Sequence, residues 1–347
     1  MEKVLISHNK HWHGEYTDLY QRALSQKLVA NLSCKHIQVL QGIRRSGKST
    51  LFKLLINHLM QSVDAKQILY INLEDPFFIG YSNDPANLYK IVETAQKLVG
   101  NKIKYLFLDE VQAITGWEQY VKVVYDNEEF KKIFVTGSNS SLLNSEFAKL
   151  LTGRYLSEMV FPLSFSEILT IHGITTYFKL NSERPKVLGL VDSMLKYGSF
   201  VDVFDNKDEY KREILSTYYD EIILKDCVAN NSIRDIKSFK GLSYYLLSNI
   251  TALYSYKSLA SAVGIHDKSS KEYVQYLQDA YLLSELKQFS YSLKTQQNNR
   301  KKIYLVDNGF INLSFKFSKK SGAVLENLVF SELYKRGKEL YFYNKNF

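Results

Sequence analysis

The chain has 347 residues, 45% of them hydrophobic, and carries a formal charge of +9. That length suits two or three domains, the apolar content is enough for ordinary cores, and the positive balance suits a polyanionic partner. Its two cysteines, Cys34 and Cys227, exclude a disulfide framework and a cysteine-built metal cluster. No apolar stretch reaches membrane-spanning length, and residues 1–10 lack the apolar centre of a secretion signal, so a cytoplasmic location is expected. His11 and His13 read as part of an exposed tail.

In chain order, residues 15–32 show a helical period through Tyr16, Leu19, Tyr20, Ala23, Leu24 and Leu28. Residues 37–40 form an apolar strand. The run Gly42, Ile43, Arg44, Arg45, Ser46, Gly47, Lys48, Ser49, Thr50 follows, and then an amphipathic stretch over 51–60. The run fits G-x-x-x-x-G-K-[ST] without a mismatch, in the strand-loop-helix context that a phosphate-binding loop requires. Glycines let the backbone fold back so that successive N–H groups point at one anion, and the helix adds its positive N-terminal end. Lys48 is expected to reach the β- and γ-phosphates of ATP, and Ser49 to hold Mg²⁺ through its hydroxyl.

Further strands are expected at 67–73, 103–108 and 132–136, separated by helices at 86–99 and 116–126. Strands that are continuously apolar and alternate with helices indicate a parallel sheet covered on both faces. Residues 1–165 therefore read as one α/β domain. Residues 166–238 read as helical, most clearly over 186–196 and 210–228. Over 239–310 the order is helix (241–253), helix (255–263), helix (268–283), then strand-like runs at 284–291 and 302–306, which is the order of a winged helix. Residues 311–347 form a last segment.

The third strand ends in Asp109-Glu110, where a nucleotide-binding sheet carries its Mg²⁺-orienting acid. Asp109 is assigned to Mg²⁺ and Glu110 to the attacking water, as general base. A small-molecule kinase would not need the second acid, whereas a hydrolase does. The fourth strand runs into Ser138 and Asn139, either of which could touch the γ-phosphate; the spacing does not choose between them. Arg154, after Thr152-Gly153, is a candidate arginine finger.

These residues resemble a known family. Residues 38–49, the Leu108-Asp109-Glu110-Val111-Gln112 run, residues 136–143, and Leu151-Thr152-Gly153-Arg154 with Phe161-Pro162-Leu163-Ser164-Phe165 are similar to the AAA-type ATPases of the archaeal ATPase group. Residues 256–283 and 302–310 resemble the C-terminal domain that accompanies them. The resemblance implies an ATPase core, a helical region and a winged helix, and it favours Asn139 and Arg154 as catalytic. In that family a stretch like 322–330 opens a region resembling PD-(D/E)XK nucleases, so residues 311–347 are expected to be the start of a truncated nuclease-like domain. Cleavage there needs further acids downstream, so no nuclease activity is expected from residues 1–347, and Glu326 is expected to be structural.

Residues 286–306 hold Lys287, Lys294, Arg300, Lys301 and Lys302 with no acid, interleaved with Phe289, Tyr291 and Tyr304. Such a stretch can lie along phosphates while the preceding helix, with Lys268, Ser269, Ser270, Lys271 and Tyr273 in its first turns, enters the major groove of double-stranded DNA. The expected function is thus an ATP-hydrolysing, DNA-binding AAA-type protein. The rival is a nucleotide-gated switch with slow or no hydrolysis and a protein partner on the winged helix. Assembly into a homo-oligomer is compatible with either, since Arg154 could act in cis or in trans.

Overall fold

A five-stranded sheet with order β2-β3-β4-β1-β5 organises the first part of the chain. The computed structural model describes residues 1–143, 149–314 and 321–343. The strands are β1 (Ile37–Gln41), β2 (Ile68–Asn72), β3 (Tyr105–Asp109), β4 (Lys132–Gly137) and β5 (Tyr155–Met159), and every pairing is parallel. Helices α1 (Glu2–His8), α2 (Ala23–Ala30), α3 (Lys48–Met60), α4 (Asn87–Val99) and α5 (Trp117–Asp126) accompany the sheet. All residues of β3 and β4 are buried, which is why their centres, 105–108 and 133–135, read as apolar runs. Strand β5 was not expected. It is an edge strand whose residues are all half-buried, and its mixed Tyr-Leu-Ser-Glu-Met composition gives little periodic signal.

Strand order is what places the site. Because β4 lies between β1 and β3, the loops after all three strands meet at one edge. Helix α3 is fixed over that edge by Phe52, which packs edge-on against Phe107 of β3 and Phe134 of β4, at 5.1 and 6.1 Å between ring centroids. Those two rings are themselves stacked at 4.1 Å.

Two expectations near the N-terminus are corrected. The helix over 15–32 is present only as Ala23–Ala30. Asp18 has a left-handed backbone, φ 57°, and Tyr16 is tied in place by both of its backbone groups, which bond to the Asn57 amide at 2.9 and 2.7 Å. Nor is His11 in an exposed tail. Leu5 of α1 is fully buried, and the Asn9 amide bonds the backbone of edge strand β2 at Tyr70, at 2.9 and 2.7 Å, as a neighbouring strand would. His11 follows it inward to Ile68 O at 3.1 Å, and burial lowers its pKa to about 4, partly opposed by that carbonyl. His13 is exposed, as read.

The described chain divides into two compact units, Met1–Gly42 with Gly47–Val160, and Ile43–Ser46 with Phe161–Phe347. The second is mainly helical. It contains Phe165–Ile171, Arg184–Tyr197, Asp208–Glu221 and, continuing the last of these, a π-helix over Ile222–Ala229. Next come a helix (Ile236–Ser248), β6 (Leu253–Tyr254), two helices (Tyr256–Val263 and Asp267–Asp279), β7 (Leu283–Leu286), a short helix (Leu293–Asn298) and β8 (Lys301–Leu305). The last three strands form an antiparallel sheet in the order β6-β8-β7. Ser255 opens the Tyr256–Val263 helix with a capping box, and Gly264 closes it in the left-handed region. The helix Ser321–Lys335 follows, while residues 315–320 and 344–347 of the expected last segment lie outside the described residues. Among the described residues, no helix is long and apolar enough to cross a membrane.

Candidate functional site

Each functional side chain is set by a strand end. Strand β1 delivers Gly42, whose φ is 147° and whose absent Cβ would stand 2.1 Å from the Val160 carbonyl oxygen. No side chain fits there, so glycine is required by close approach as well as by conformation. Gly47 caps α3 with φ 98°, and the helix begins at Lys48, so that its first N–H groups point toward the loop. The Arg22 guanidinium lies over this point, 2.9 Å from where a Gly47 Cβ would be.

Lys48 is buried. Its Nζ donates to Gly42 O at 3.0 Å and stands 3.6 Å from Glu110 Oε1. Asp109 closes β3, fully buried, and accepts from the Tyr70 hydroxyl at 2.7 Å, from the Thr136 hydroxyl, and from Ser49. Burial raises the pKa of the Asp109 carboxyl, and the neighbouring Glu110 raises it further; the three hydroxyls act in the opposite direction. Tyr70 is kept protonated by burial first and by Asp109 second. Glu110 has a left-handed backbone, φ 55°, an uncommon state for a non-glycine residue. Its N–H is held by Thr136 Oγ1 at 2.9 Å, and its Oε2 accepts from Gln112 Nε2 at 2.6 Å. Gln112 also reaches Ser138 Oγ at 3.4 Å. Asn139 is buried just beyond the end of β4, between the ends of β1 and β3.

The oxygen donors suit a hard divalent cation: a hydroxyl from Ser49 beside the buried Asp109 carboxyl. Among the described residues no group of three or more His, Cys, Asp or Glu forms a metal cage. Tyr70, Thr136, Gln112 and Arg22 were not singled out from the sequence. Gln112 and Thr136 lie inside runs that carried the family resemblance, but Tyr70 meets Asp109 only because Asn72 is in register with Asp109 across β2 and β3, two residues on.

Arg154 lies elsewhere. Its carbonyl accepts from Ile37 N at 2.8 Å, at the start of β1, whereas the loop leaves the other end of that strand. Five residues of strand separate the two ends, roughly 16 Å. The Arg154 guanidinium pairs with Asp126 at 3.0 Å. An in-cis finger is therefore not what this geometry offers.

The expected DNA face is smaller than the sequence suggested. Lys268, Lys271, Lys294 and Arg300 are exposed, with Lys268 3.9 Å from Glu272. Lys301 is buried over the Tyr256 ring, at 4.8 Å to its centroid, and Lys302 pairs with Glu326 at 2.8 Å. Ser270 is buried and bonds Tyr256 O, and Tyr273 packs edge-on against Phe239. Lys301, Lys302, Ser270 and Tyr273 are thus taken up by the protein itself. Glu326 accepts from Lys302 and from the Tyr304 hydroxyl at 2.6 Å, consistent with a structural role.

Residues 35–169 match the model of an AAA domain, and residues 189–321 match a domain of unknown function. The chain is 35% identical over 325 residues to the uncharacterized protein MJ1544 of Methanocaldococcus jannaschii, covering 91% of this chain and 69% of that one. It is 30% identical over 325 residues to an uncharacterized protein of Haemophilus influenzae, covering 90% and 78%. Among solved structures, the Aeropyrum pernix ORC1 protein in complex with DNA aligns over 91% of this chain and 94% of that one, at 11% identity and a TM-score of 0.36.

Proposed function

We propose that this chain, which belongs to one family with MJ1544 and the Haemophilus influenzae protein and carries an AAA-type ATPase domain, binds ATP with Mg²⁺ on residues 42–50 and hydrolyses it with Glu110 as general base. The observation that carries this reading is the convergence of Lys48, Asp109 and Glu110 at one edge of the sheet, with Lys48 Nζ 3.6 Å from Glu110. Loop N–H groups and the start of α3 receive phosphate oxygens. With a triphosphate present, the Lys48 ammonium has phosphate oxygens to bind instead of Glu110 and Gly42 O. Glu110, held by Gln112, then takes a proton from water as its oxygen attacks the γ-phosphorus and the bond to the β–γ bridging oxygen breaks. Ser49 and Asp109 would hold Mg²⁺, which would supply charge neutralisation at the phosphates. Asn139 is read as the residue that touches the γ-phosphate.

The second unit is read as a winged helix over 239–310 that meets double-stranded DNA through Lys268, Lys271, Lys294 and Arg300. Arg154 is read as a finger acting in trans, at the nucleotide of a neighbouring copy. Its position at the far edge of its own sheet also favours a second reading, a nucleotide-gated switch whose isolated protomer turns over slowly. ATP hydrolysis measured against protein concentration, with and without duplex DNA, separates the two. Turnover that rises with concentration and DNA, and is lost in Lys48→Ala and Glu110→Gln, supports the DNA-coupled ATPase. ATP binding without turnover under all conditions sinks it in favour of the switch.

A further inference from the structure

The middle of the phosphate-binding loop is anchored by residues that no loop pattern mentions. Ile43–Ser46 belong to the second unit. Ile43 is buried in the apolar cluster that contains Tyr218, Ile222 and Ile223. Arg44 donates through Nε to Asp226 Oδ2 at 3.0 Å and through Nη2 to Asp226 Oδ1 at 2.9 Å. Both side chains are buried, 9% and 3% exposed. Arg45, with a left-handed φ of 68°, donates to Glu221 at 3.2 Å and lies 5.3 Å from the centroid of the Tyr218 ring.

Helix winding explains why two acids meet two adjacent arginines. Glu221 directly precedes the π-helix Ile222–Ala229, and Asp226 lies within it. Residues five apart point well away from each other on an α-helix, at about 100° per residue. The wider i→i+5 winding of a π-helix brings them toward one face. An isolated π segment is uncommon in proteins, and here it aligns the two carboxylates with the loop.

We infer that Asp226, supported by Glu221, is a positioning residue for nucleotide binding. The bidentate pair to Arg44 and the Glu221 pair to Arg45 fix two successive loop residues from outside the pattern. They hold the backbone in the shape that presents its N–H groups to phosphate. This rests on residues 42–50 binding ATP. A bidentate buried pair is geometrically specific, and removing one partner strands a charge. An apolar pair of similar volume can restore the packing without restoring that specificity.

The test is titration of each full-length variant with a fluorescent ATP analogue and Mg²⁺, beside its melting temperature without nucleotide. Asp226→Asn should weaken binding by about tenfold or more, and Glu221→Gln by about threefold. Asp226→Glu, which keeps the charge, should recover part of the affinity. Arg44→Met/Asp226→Leu should melt within about 2 °C of wild type yet still bind weakly. If affinity in that double variant or in Asp226→Asn equals wild type, the pair is only structural and the inference is overturned. Lys48→Ala distinguishes the two levels. If it too binds like wild type, the nucleotide reading itself fails; if it loses binding while the Asp226 variants keep it, only the positioning role fails.

Discussion

Two stretches of this chain look equally suggestive as sequence and behave differently once folded. Around the phosphate-binding loop, Lys48, Asp109 and Glu110 come together as their positions implied. In the basic stretch 286–306, five cations without an acid looked like one face, yet Lys301 lies over Tyr256 and Lys302 is paired with Glu326, which leaves Lys287, Lys294 and Arg300 outward. The difference is physical. A loop pattern specifies backbone geometry locally, through glycine φ and the start of a helix, so its residues carry their own placement. A run of charge specifies only that each head must find water or a partner, and the fold supplies partners from segments far away in sequence.

The sharpest way to break this comparison is at Gly42. Gly42→Ala places a methyl 2.1 Å from a backbone oxygen, where nothing flexible can yield. ATP affinity should fall by about a hundredfold or more, since the chain must shift at the loop itself. Isothermal titration checks this, and near-normal binding would show that the loop geometry is less constrained than described.

A middle-sized effect divides the basic stretch. Lys287→Ala/Lys294→Ala/Arg300→Ala should weaken duplex DNA binding and lower the slope of log affinity against log salt by about three. Lys301→Ala/Lys302→Ala should leave that slope alone and lower the melting temperature. Equal slopes for the two sets would mean that the internal partners seen here do not remove Lys301 and Lys302 from a DNA face.

The smallest effect concerns stability, and it has opposite sign in the two regions. The raised pKa of Asp109 means that the folded chain holds this proton more tightly than the unfolded one. The associated stability is present below the ordinary carboxyl value of 3.8 and is lost as pH rises through the raised value. At pH 8, well above that ordinary value, burying this acid therefore costs stability. Asp109→Asn should raise the melting temperature of the nucleotide-free protein there, by roughly 2–4 °C for each kcal/mol relieved, with the gain shrinking toward pH 4. Differential scanning calorimetry across pH tests this; a flat or negative shift would show that the hydroxyls of Tyr70, Thr136 and Ser49 already offset the burial.

Much of the α/β part was legible in the sequence. The strands β1 to β4 lie where their apolar runs predicted, because strands buried on both faces show composition and periodicity at once. The edge strand β5 was not legible, since a half-exposed strand has neither a continuous apolar run nor strict alternation. His11 was misread for a related reason: its burial depends on an N-terminal helix docking beside β2, which leaves no mark on the histidine itself.

By itself the sequence determined the phosphate-binding loop, the acid pair closing the third strand, and the change from a parallel α/β pattern to a helical one. Each is written in short-range terms of glycine, apolar run and spacing. Only the tertiary structure decided that β4 lies between β1 and β3, that Thr136 and Tyr70 hold Asp109, that Arg154 lies at the far edge of its sheet, and that Asp226 clasps Arg44. Those facts depend on pairings between residues up to 182 positions apart, and such pairings follow from strand order and helix winding that no local pattern encodes.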